Sequence, residues 1–565
     1  MADLAGILLE NPPRAPLHNG QPLTFGAPSE VYRGLVVPSA SPLAGVFEVT
    51  EDSVRGSYAD HGGYEAAGPG QFWFEHVHSV PLSMALGYIV TTVTRQVEIY
   101  NAFHRAAREL QTVENNVGGG TTLLGVPVVP YDIAAQHSLF VELRVATSGP
   151  PTINGTLVFT LDSGVLVIPV TGSRVVMFPY PPESPIDEEL EWKTTVLSSA
   201  DGREQRIALR RCPRQSFNLN FAVEDDHVRR TLQSLVFGWL AGVFGIPVWF
   251  EARRLTVDAA ADDMVIQVDT RHADFRDGGL AIVWYDEETW NALEIASHTD
   301  SALTFSSPLT QPFAAATSWV MPLRTALADP QISGTRHPVG LDVFPMTFRV
   351  LDNDAPATAD DSAFPTYDGR VLLNGPNFMG GSTAPRGTSM KVGRHDNETG
   401  APAQFSDWQA PQGVSQKGFF TTTEQGRWEV RQLLHALRGP QAAFYLPTFY
   451  HDLVAAGPLS SGSSNMDIEN LGYTRYINGQ APHNHIWVEL LSGVEYCKEI
   501  VSSIVLDDDV ERLTLSDAWP TTIQISEIRR ISYLPLSRIA EDTVRLQHSG
   551  SGETAVVFGV LEVQQ

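Results

Sequence analysis

Short runs of alternating apolar and polar residues, separated by glycine, proline and other turn residues, fill most of the chain from residue 88 onward. Alternation with a period of two is typical of half-buried β-strands. Within the region 88–184 the clearest runs lie at 89–93, 97–100, 138–145, 155–161 and 164–170. Their number and spacing predict an Ig-like β-sandwich in this region.

The region 1–87 has a different pattern, because it is dense in glycine, proline and serine and shows little periodicity. Such a composition is typical of loops. We therefore expect residues 1–87 to form an extended N-terminal arm with loops.

Two stretches show helical periodicity, with apolar residues at steps of three and four that place them on one face of a helix. The first stripe consists of Leu232, Leu235, Val236, Trp239, Leu240 and Val243, and the second of Val430, Leu433, Leu434 and Leu437. On length alone, the apolar stretch 232–250 is also a candidate membrane span. Charged residues crowd both of its ends and Pro247 interrupts it. We predict a buried helix followed by a buried strand, and no membrane span.

The order of elements repeats after residue 184. A strand-like run, one amphipathic helix and a short aromatic strand occur at 215–251 and again at 417–447, and each series closes on a strand rich in valine and phenylalanine. We interpret the regions 185–351 and 397–565 as two copies of one unit, and we predict that 185–351 and 365–565 superpose. The alternative is that any β-rich protein shows such similarities by chance.

The region 352–396 separates the two copies. It is heavy in aspartate, proline, glycine, serine and threonine. This composition predicts a linker or a long projecting loop.

Charge narrows the possible partners. The 565 residues include 38 Lys plus Arg and 65 Asp plus Glu, a formal net charge of −27. Affinity for nucleic acid comes chiefly from neutralising phosphates with basic side chains, so sequence-specific nucleic-acid binding is not expected. The two cysteines, Cys212 and Cys497, supply neither a disulfide framework nor a CxxC metal site. The N-terminal residues lack the pattern of a secretory signal, which predicts synthesis in a cytoplasm.

Few residues suggest site chemistry. His76 and His78 have a spacing that metals use, but no third ligand is nearby in the sequence, and the same holds for His483 and His485. The aspartates 507–509 lack the alternating ligands of a calcium loop. No nucleophile elbow, phosphate-binding loop or zinc-protease helix is present. The sequence therefore predicts no catalytic, cofactor-binding or metal-ligating residue, no cofactor and no enzymatic activity.

The stretch 74–87 (FEHVHSVPLSMALG), the run 97–103 (VEIYNAF), the Ig-like region and the duplicated strand-helix-strand unit together resemble the tail-tip structural proteins of long-tailed bacteriophages, of the distal-tail or baseplate-hub type. The resemblance implies a mainly β fold in which 185–351 and 397–565 are tube-type β-barrel or sandwich domains, each flanked by one helix. In that family such domains form a ring around a central channel, and Ig-like domains decorate it.

The resemblance also implies partners and a location. The chain would assemble with itself, either as a homotrimer that forms a pseudo-hexameric ring or as a homohexamer. It would contact tail tube, tape measure and fibre proteins at the tail tip of the virion, after assembly in the host bacterial cytoplasm. DNA would pass through the lumen without specific binding.

A second interpretation is a receptor-binding or carbohydrate-binding β-protein of the tail, with glycan degradation as one form of it. Exposed aromatic side chains would then stack on sugars. The candidates are Trp284, Tyr285, Trp290, Tyr445, Phe449 and Tyr450. Aromatic residues in strands more often belong to a core or to a subunit interface.

Overall fold

The computed structural model describes residues 73–74, 76–90, 92–147, 149–150, 152–337, 341–353, 360–378, 386–408, 410–550 and 552–564. Most of the predicted N-terminal arm, residues 1–72, lies outside these residues. The chain divides into two compact units, one ending at residue 172 and the other running from 173 to 565, with 88–91 belonging to the second.

The first unit is built from antiparallel strands. Its strands, of which β2 and β9 continue into the second unit, are β1 (Val77–Val80), β2 (Met84–Ile89), β3 (Val93–Asn101), β4 (Arg108–Asn115), β5 (Thr121–Leu124), β6 (Tyr131–Ile133), β7 (Ser138–Val145), β8 (Thr152–Leu161) and β9 (Gly164–Met177). One sheet has the order β1-β3-β7-β5, and β4 pairs with β6 and β8. Inward residues such as Ile99, Val141 and Phe159 are fully buried. The expected arm boundary after residue 87 falls inside β2, and an Ig-like topology stays a prediction.

The second unit begins with a set of strands around one helix, which we call the first segment (residues 183–350). Its elements are β10 (Glu183–Glu191), β11 (Thr194–Ser198), β12 (Glu204–Ala208), β13 (Arg214–Val223), α1 (Asp226–Trp239), β14 (Val243–Pro247), a 3-10 turn (Trp249–Glu251), β15 (Arg253–Arg254), β16 (Val265–Gln267), β17 (Leu280–Trp284), β18 (Trp290–Thr299), β19 (Ala302–Phe305), β20 (Trp319–Ala328), β21 (Thr335–Arg336) and β22 (Asp342–Val350).

After two short strands, β23 (Thr366–Tyr367) and β24 (Arg370–Val371), comes the second segment (residues 387–562). Its elements are β25 (Gly387–Ser389), β26 (Gly393–His395), β27 (Ala403–Phe405), β28 (Gln412–Thr421), α2 (Glu424–Leu437), β29 (Ala443–Tyr445), β30 (Asn465–Glu469), α3 (Tyr473–Tyr476), a 3-10 turn (Ala481–His483), β31 (His485–Leu490), β32 (Glu495–Val505), β33 (Val510–Leu515), a 3-10 turn (Ile525–Glu527), β34 (Ile528–Tyr533), β35 (Leu536–Ile539), β36 (Thr543–His548) and β37 (Thr554–Glu562). The fold is mainly β, as predicted.

The strand pairings of the two segments correspond. The strand before the helix pairs with the closing strand in both, as β13 with β22 and β28 with β37. The strand after the helix pairs with β20 in the first segment and with β35 in the second. The inserted strands follow the same scheme, since β17–β18, β18–β19 and β16–β19 match β31–β32, β32–β33 and β30–β33. Atomic superposition of the predicted copies stays a prediction.

The second segment starts before the expected boundary at 397, and this corrects the interpretation of 352–396 as linker or loop. β25 pairs with β28 as β10 pairs with β13, and the hairpin β26–β27 matches the hairpin β11–β12. Val371 and Leu373 are buried in the core that α2 covers. Residues 354–359 and 379–385 of this region lie outside the described residues.

The two helices are both 14 residues long but differ in burial. α2 buries seven side chains, including Val430, Leu433, Leu434 and Leu437. In α1 Leu232 alone falls below one tenth exposure, while Leu235 and Val236 are half-buried. The predicted helix-then-strand order over 232–250 is confirmed, because the mostly buried β14 follows α1. The prediction of a buried helix is too strong for α1. Within the described part of the chain, no helix has the length and apolarity needed to cross a membrane.

Candidate assembly interface

Strand β10 joins the two segments in one sheet. On one edge it pairs with β13 of the first segment, and on the other edge with β36 of the second segment. Leu190, for example, lies opposite Gln215 on one side and Val544 on the other. Because β36 pairs with β37, and β37 with β28, the ladder runs without a break from β22 to β25. The segments are therefore not separate domains on a flexible linker.

The helix α2 of the second segment packs against the first segment. Its apolar residues pack with Leu190 and Trp192 of the first segment in one core cluster. A neighbouring face carries Arg427, Arg431 and His435, which recur at steps of four and thus point the same way. All three are almost completely buried, so the first segment covers this face.

Glu188 of β10 is the polar centre of the junction, and its carboxylate is completely buried. It accepts hydrogen bonds from Gln215 at 2.6 Å and from Arg431, whose Nη2 lies 3.0 Å from Oε1. Nε2 of His548 lies 3.1 Å from the other oxygen. The partners come from β13, α2 and β36, so one carboxylate connects both segments.

The electrostatics of the cluster keep Glu188 ionised. Burial opposes ionisation, but Arg431 and the hydrogen bond from His548 outweigh it and lower the pKa of Glu188 to about 2. Burial lowers the pKa of His548, so the ring is neutral and its Nε2 donates to the carboxylate. Burial, aided by Arg431, lowers the pKa of His435 to about 3. The junction thus holds a fixed set of charges at neutral pH.

Two further carboxylates extend the cluster toward the first segment. Arg431 lies 3.7 Å from Glu251 and 3.8 Å from Asp274. Asp274 is itself paired with Arg324 at 2.5 Å and with Arg276 at 2.7 Å. Burial opposes its ionisation, but Arg324 and Arg276 prevail and lower the pKa of Asp274 well below its usual range.

Backbone carbonyls complete the recognition of α2. Arg427 donates to the carbonyl oxygens of Phe250 and His272, the latter at 2.8 Å. Near the start of α2, Glu424 accepts from Arg253 at 2.6 Å. On the other side of the sheet, Arg538 binds Glu204 of β12 through two hydrogen bonds of 2.7 and 2.8 Å. The segments therefore hold each other at several separate points.

The histidine pairs weighed as metal ligands serve other contacts. His78 stacks on Trp73 with ring centroids 4.0 Å apart, and burial lowers its pKa. His485 contacts the Tyr367 hydroxyl, and His483 packs on Tyr533. Within the described residues no group of three or more His, Cys, Asp or Glu side chains could hold a metal ion. Asp507 accepts hydrogen bonds from two backbone amides and so shapes a turn.

The aromatic residues considered as sugar platforms are divided in the structure. Tyr445 is completely buried, and Trp284 and Trp290 lie opposite each other on neighbouring strands, both half-buried. Tyr285 and Tyr450 are about half exposed, at 47% and 48%. The six positions therefore do not form one exposed aromatic surface.

The charged junction was missed in the sequence. Neither Glu188 nor the arginines of α2 were singled out from the sequence. One signal was present: Arg427, Arg431 and His435 recur at helical spacing beside a fully apolar stripe. From the sequence alone such a row is typical of a solvent-exposed face, because charged side chains are seldom buried unless they are paired.

No protein-family model matches the chain, and no curated protein matches it either. Among solved structures, one match is the secreted serine protease VesC from Vibrio cholerae, with 9% sequence identity and a TM-score of 0.14. The match covers 44% of this chain and 49% of the protease, about half of its length. So low a TM-score carries no conclusion about fold or activity.

Proposed function

We propose that the protein is a non-enzymatic structural component of a bacteriophage tail tip, where its segments form a ring around the tail channel and connect the tube to fibre or receptor-binding parts. One observation carries the proposal. Two segments with corresponding pairings share a continuous sheet through β10. Such a chain is an arc of a repeating assembly.

The ends of this arc are free strand edges. Among the described residues, β21 pairs only with β22, and β25 pairs only with β28. Unpaired edges attract further strands, and a closed ring removes them. Inside the chain, β10 of the first segment pairs with β36 of the second. The two free edges are the counterparts of these strands. β25 corresponds to β10, and β21 pairs with the start of β22 as β36 pairs with the start of β37. Pairing of β25 with β21 of another copy would repeat the internal junction.

Charge supports a channel component. A net charge of −27 gives a surface that repels phosphate, so DNA would slide past it without binding. Tail tube, tape measure and fibre proteins are the proposed neighbours, and the proposed location is the virion after assembly in the host cytoplasm.

The test is the mass of the purified protein by light scattering, together with negative-stain images of the same peak. Rings with a central hole and a mass of three or six times 61.8 kDa support the proposal. A protein that remains a monomer without rings over the whole accessible concentration range contradicts it.

A further inference from the structure

The outer face of α1 is exposed where the same face of α2 is buried. Val223 and Thr421 hold the same place before their helices, since each lies opposite the first residue of the closing strand. Aligned on them, Gln233 corresponds to Arg431 and Phe237 to His435. His435 is 5% exposed, whereas Phe237 is 95% exposed. Phe237 is thus an exposed apolar side chain on the helix face whose counterpart in α2 is an interface.

The surface that receives α2 also has a counterpart in the second segment. In the first segment the residues after β14 are covered, since Arg427 binds the carbonyl of Phe250 and Arg431 lies close to Glu251. In the second segment the residues after β29, 446–450, line a small groove together with Arg386 and Glu562. Within the described part of the chain, no helix residue lines this second groove.

A ring contact beside the covered surface also has an exposed counterpart. At the junction inside the chain, His435 of α2 packs edge-on against Trp192 of the first segment, with ring centroids 6.0 Å apart. Trp192 follows β10 as Met390 follows β25, because Leu190 and Thr388 occupy the same position in their pairings with β13 and β28. Trp192 is 1% exposed, but Met390 is 39% exposed.

We propose that α1 of one chain docks on the second segment of a neighbouring copy of the same chain, covering the small groove and placing Phe237 against Met390. The inference rests on the proposed ring and specifies its contact. The occupant is a second copy because the chain already contains this interface once, and its two unsatisfied halves are α1 and the groove.

The symmetry follows from this contact. It joins a first segment to a second segment, so it is head-to-tail and generates a ring if the rotation closes. First and second segments then alternate around the axis. A ring of six segments therefore contains three chains, whereas six chains with one segment inside and one outside would leave α1 and the groove apart.

The decisive experiment is a cross-link between two variants of the full chain, F237C and M390C, each made with Cys212 and Cys497 replaced by serine and mixed under mild oxidation. We expect a disulfide-linked dimer in the mixture and none with either variant alone, because a head-to-tail contact never brings two copies of one position together. The chain with both serine replacements and no introduced cysteine gives the background. Dimer formation by F237C alone indicates a two-fold contact and overturns the inference.

A charge variant gives an independent readout. Phe237→Glu should leave the melting temperature of the monomer unchanged, because the side chain is 95% exposed, and should weaken assembly about 30-fold or more, as for a central interface residue. Leu491→Glu, also at an exposed site (68%), is the matched control and should assemble normally. Wild-type rings together with unchanged F237E rings would overturn this contact and leave the proposed function standing. A wild-type chain that never assembles and never cross-links would overturn both.

Discussion

Arg431 offers the sharpest test of the junction between the segments. Its guanidinium lies 3.0 Å from Glu188, 3.7 Å from Glu251 and 3.8 Å from Asp274, and it is 3% exposed. Arg431→Ala leaves buried carboxylates without this cation. Removing one partner of a buried ion pair costs about 3–5 kcal/mol, so we expect a loss of that size in the free energy of unfolding.

The matched control is Arg545→Ala on the same sheet. Arg545 pairs with Glu189 at 2.7 Å, but its side chain is 57% exposed, and exposed pairs contribute about 0–1 kcal/mol. Urea unfolding followed by circular dichroism and tryptophan fluorescence compares the two variants with the wild type. We expect a difference between the variants of at least about 2 kcal/mol.

The pH dependence separates this effect from a simple packing loss. The pKa of Glu188 is lowered to about 2 from its ordinary value of 4.5, so its contribution is fully present above pH 4.5 and is lost as the pH falls toward 2. In Arg431→Ala the pKa of Glu188 rises, so acid unfolding starts at a higher pH. An Arg431→Ala protein as stable as Arg545→Ala, with an unchanged acid profile, would refute the proposed role of the cluster.

Three further predictions concern the second segment and its helix. A Cβ at Gly418 would lie 1.5 Å from the carbonyl oxygen of Phe378, so Gly418→Ala should clearly lower the melting temperature measured by differential scanning fluorimetry. Gly457, where a Cβ would meet no atom within 4 Å, should tolerate alanine. Burial lowers the pKa of Lys417 to about 8. Between pH 8 and 10 the unfolded chain therefore binds more protons than the folded chain, so the free energy of unfolding should rise with pH over that range. Lys417→Met should abolish this rise in urea titrations. Leu434→Asp should prevent soluble expression because that side chain is completely buried, while Leu235→Asp, at a half-buried site, should cost less; equal solubility would contradict the difference in burial.

The helices could be predicted because their signal is local. The stripe of Val430, Leu433, Leu434 and Leu437 shows its period within about two turns. The structure places all four in one core. The order of strands around each helix was also readable, since β13 and β28 are followed by their helices at once. Local patterns of this kind survive without knowledge of the partner strands.

The start of the second segment was missed for the opposite reason. Strands β25, β26 and β27 are short and mostly exposed, so they carry no apolar alternation. Pairing with β28 holds β25 in place, and no residue of 387–389 reveals this alone. Glu188 and Arg431 were missed because they come from distant parts of the chain, and a single charge in a sequence does not indicate its partner.

The covalent link between the segments has a consequence for the kinetics of building a ring. The junction through β10 forms during folding of one chain, at an effective concentration set by the polypeptide and not by the amount of protein present. In a ring of alternating segments, half of all contacts are then independent of dilution. The other half would depend on encounters between chains, so closure of the proposed ring would follow the supply of chains, while every incomplete ring would already contain correctly paired segments.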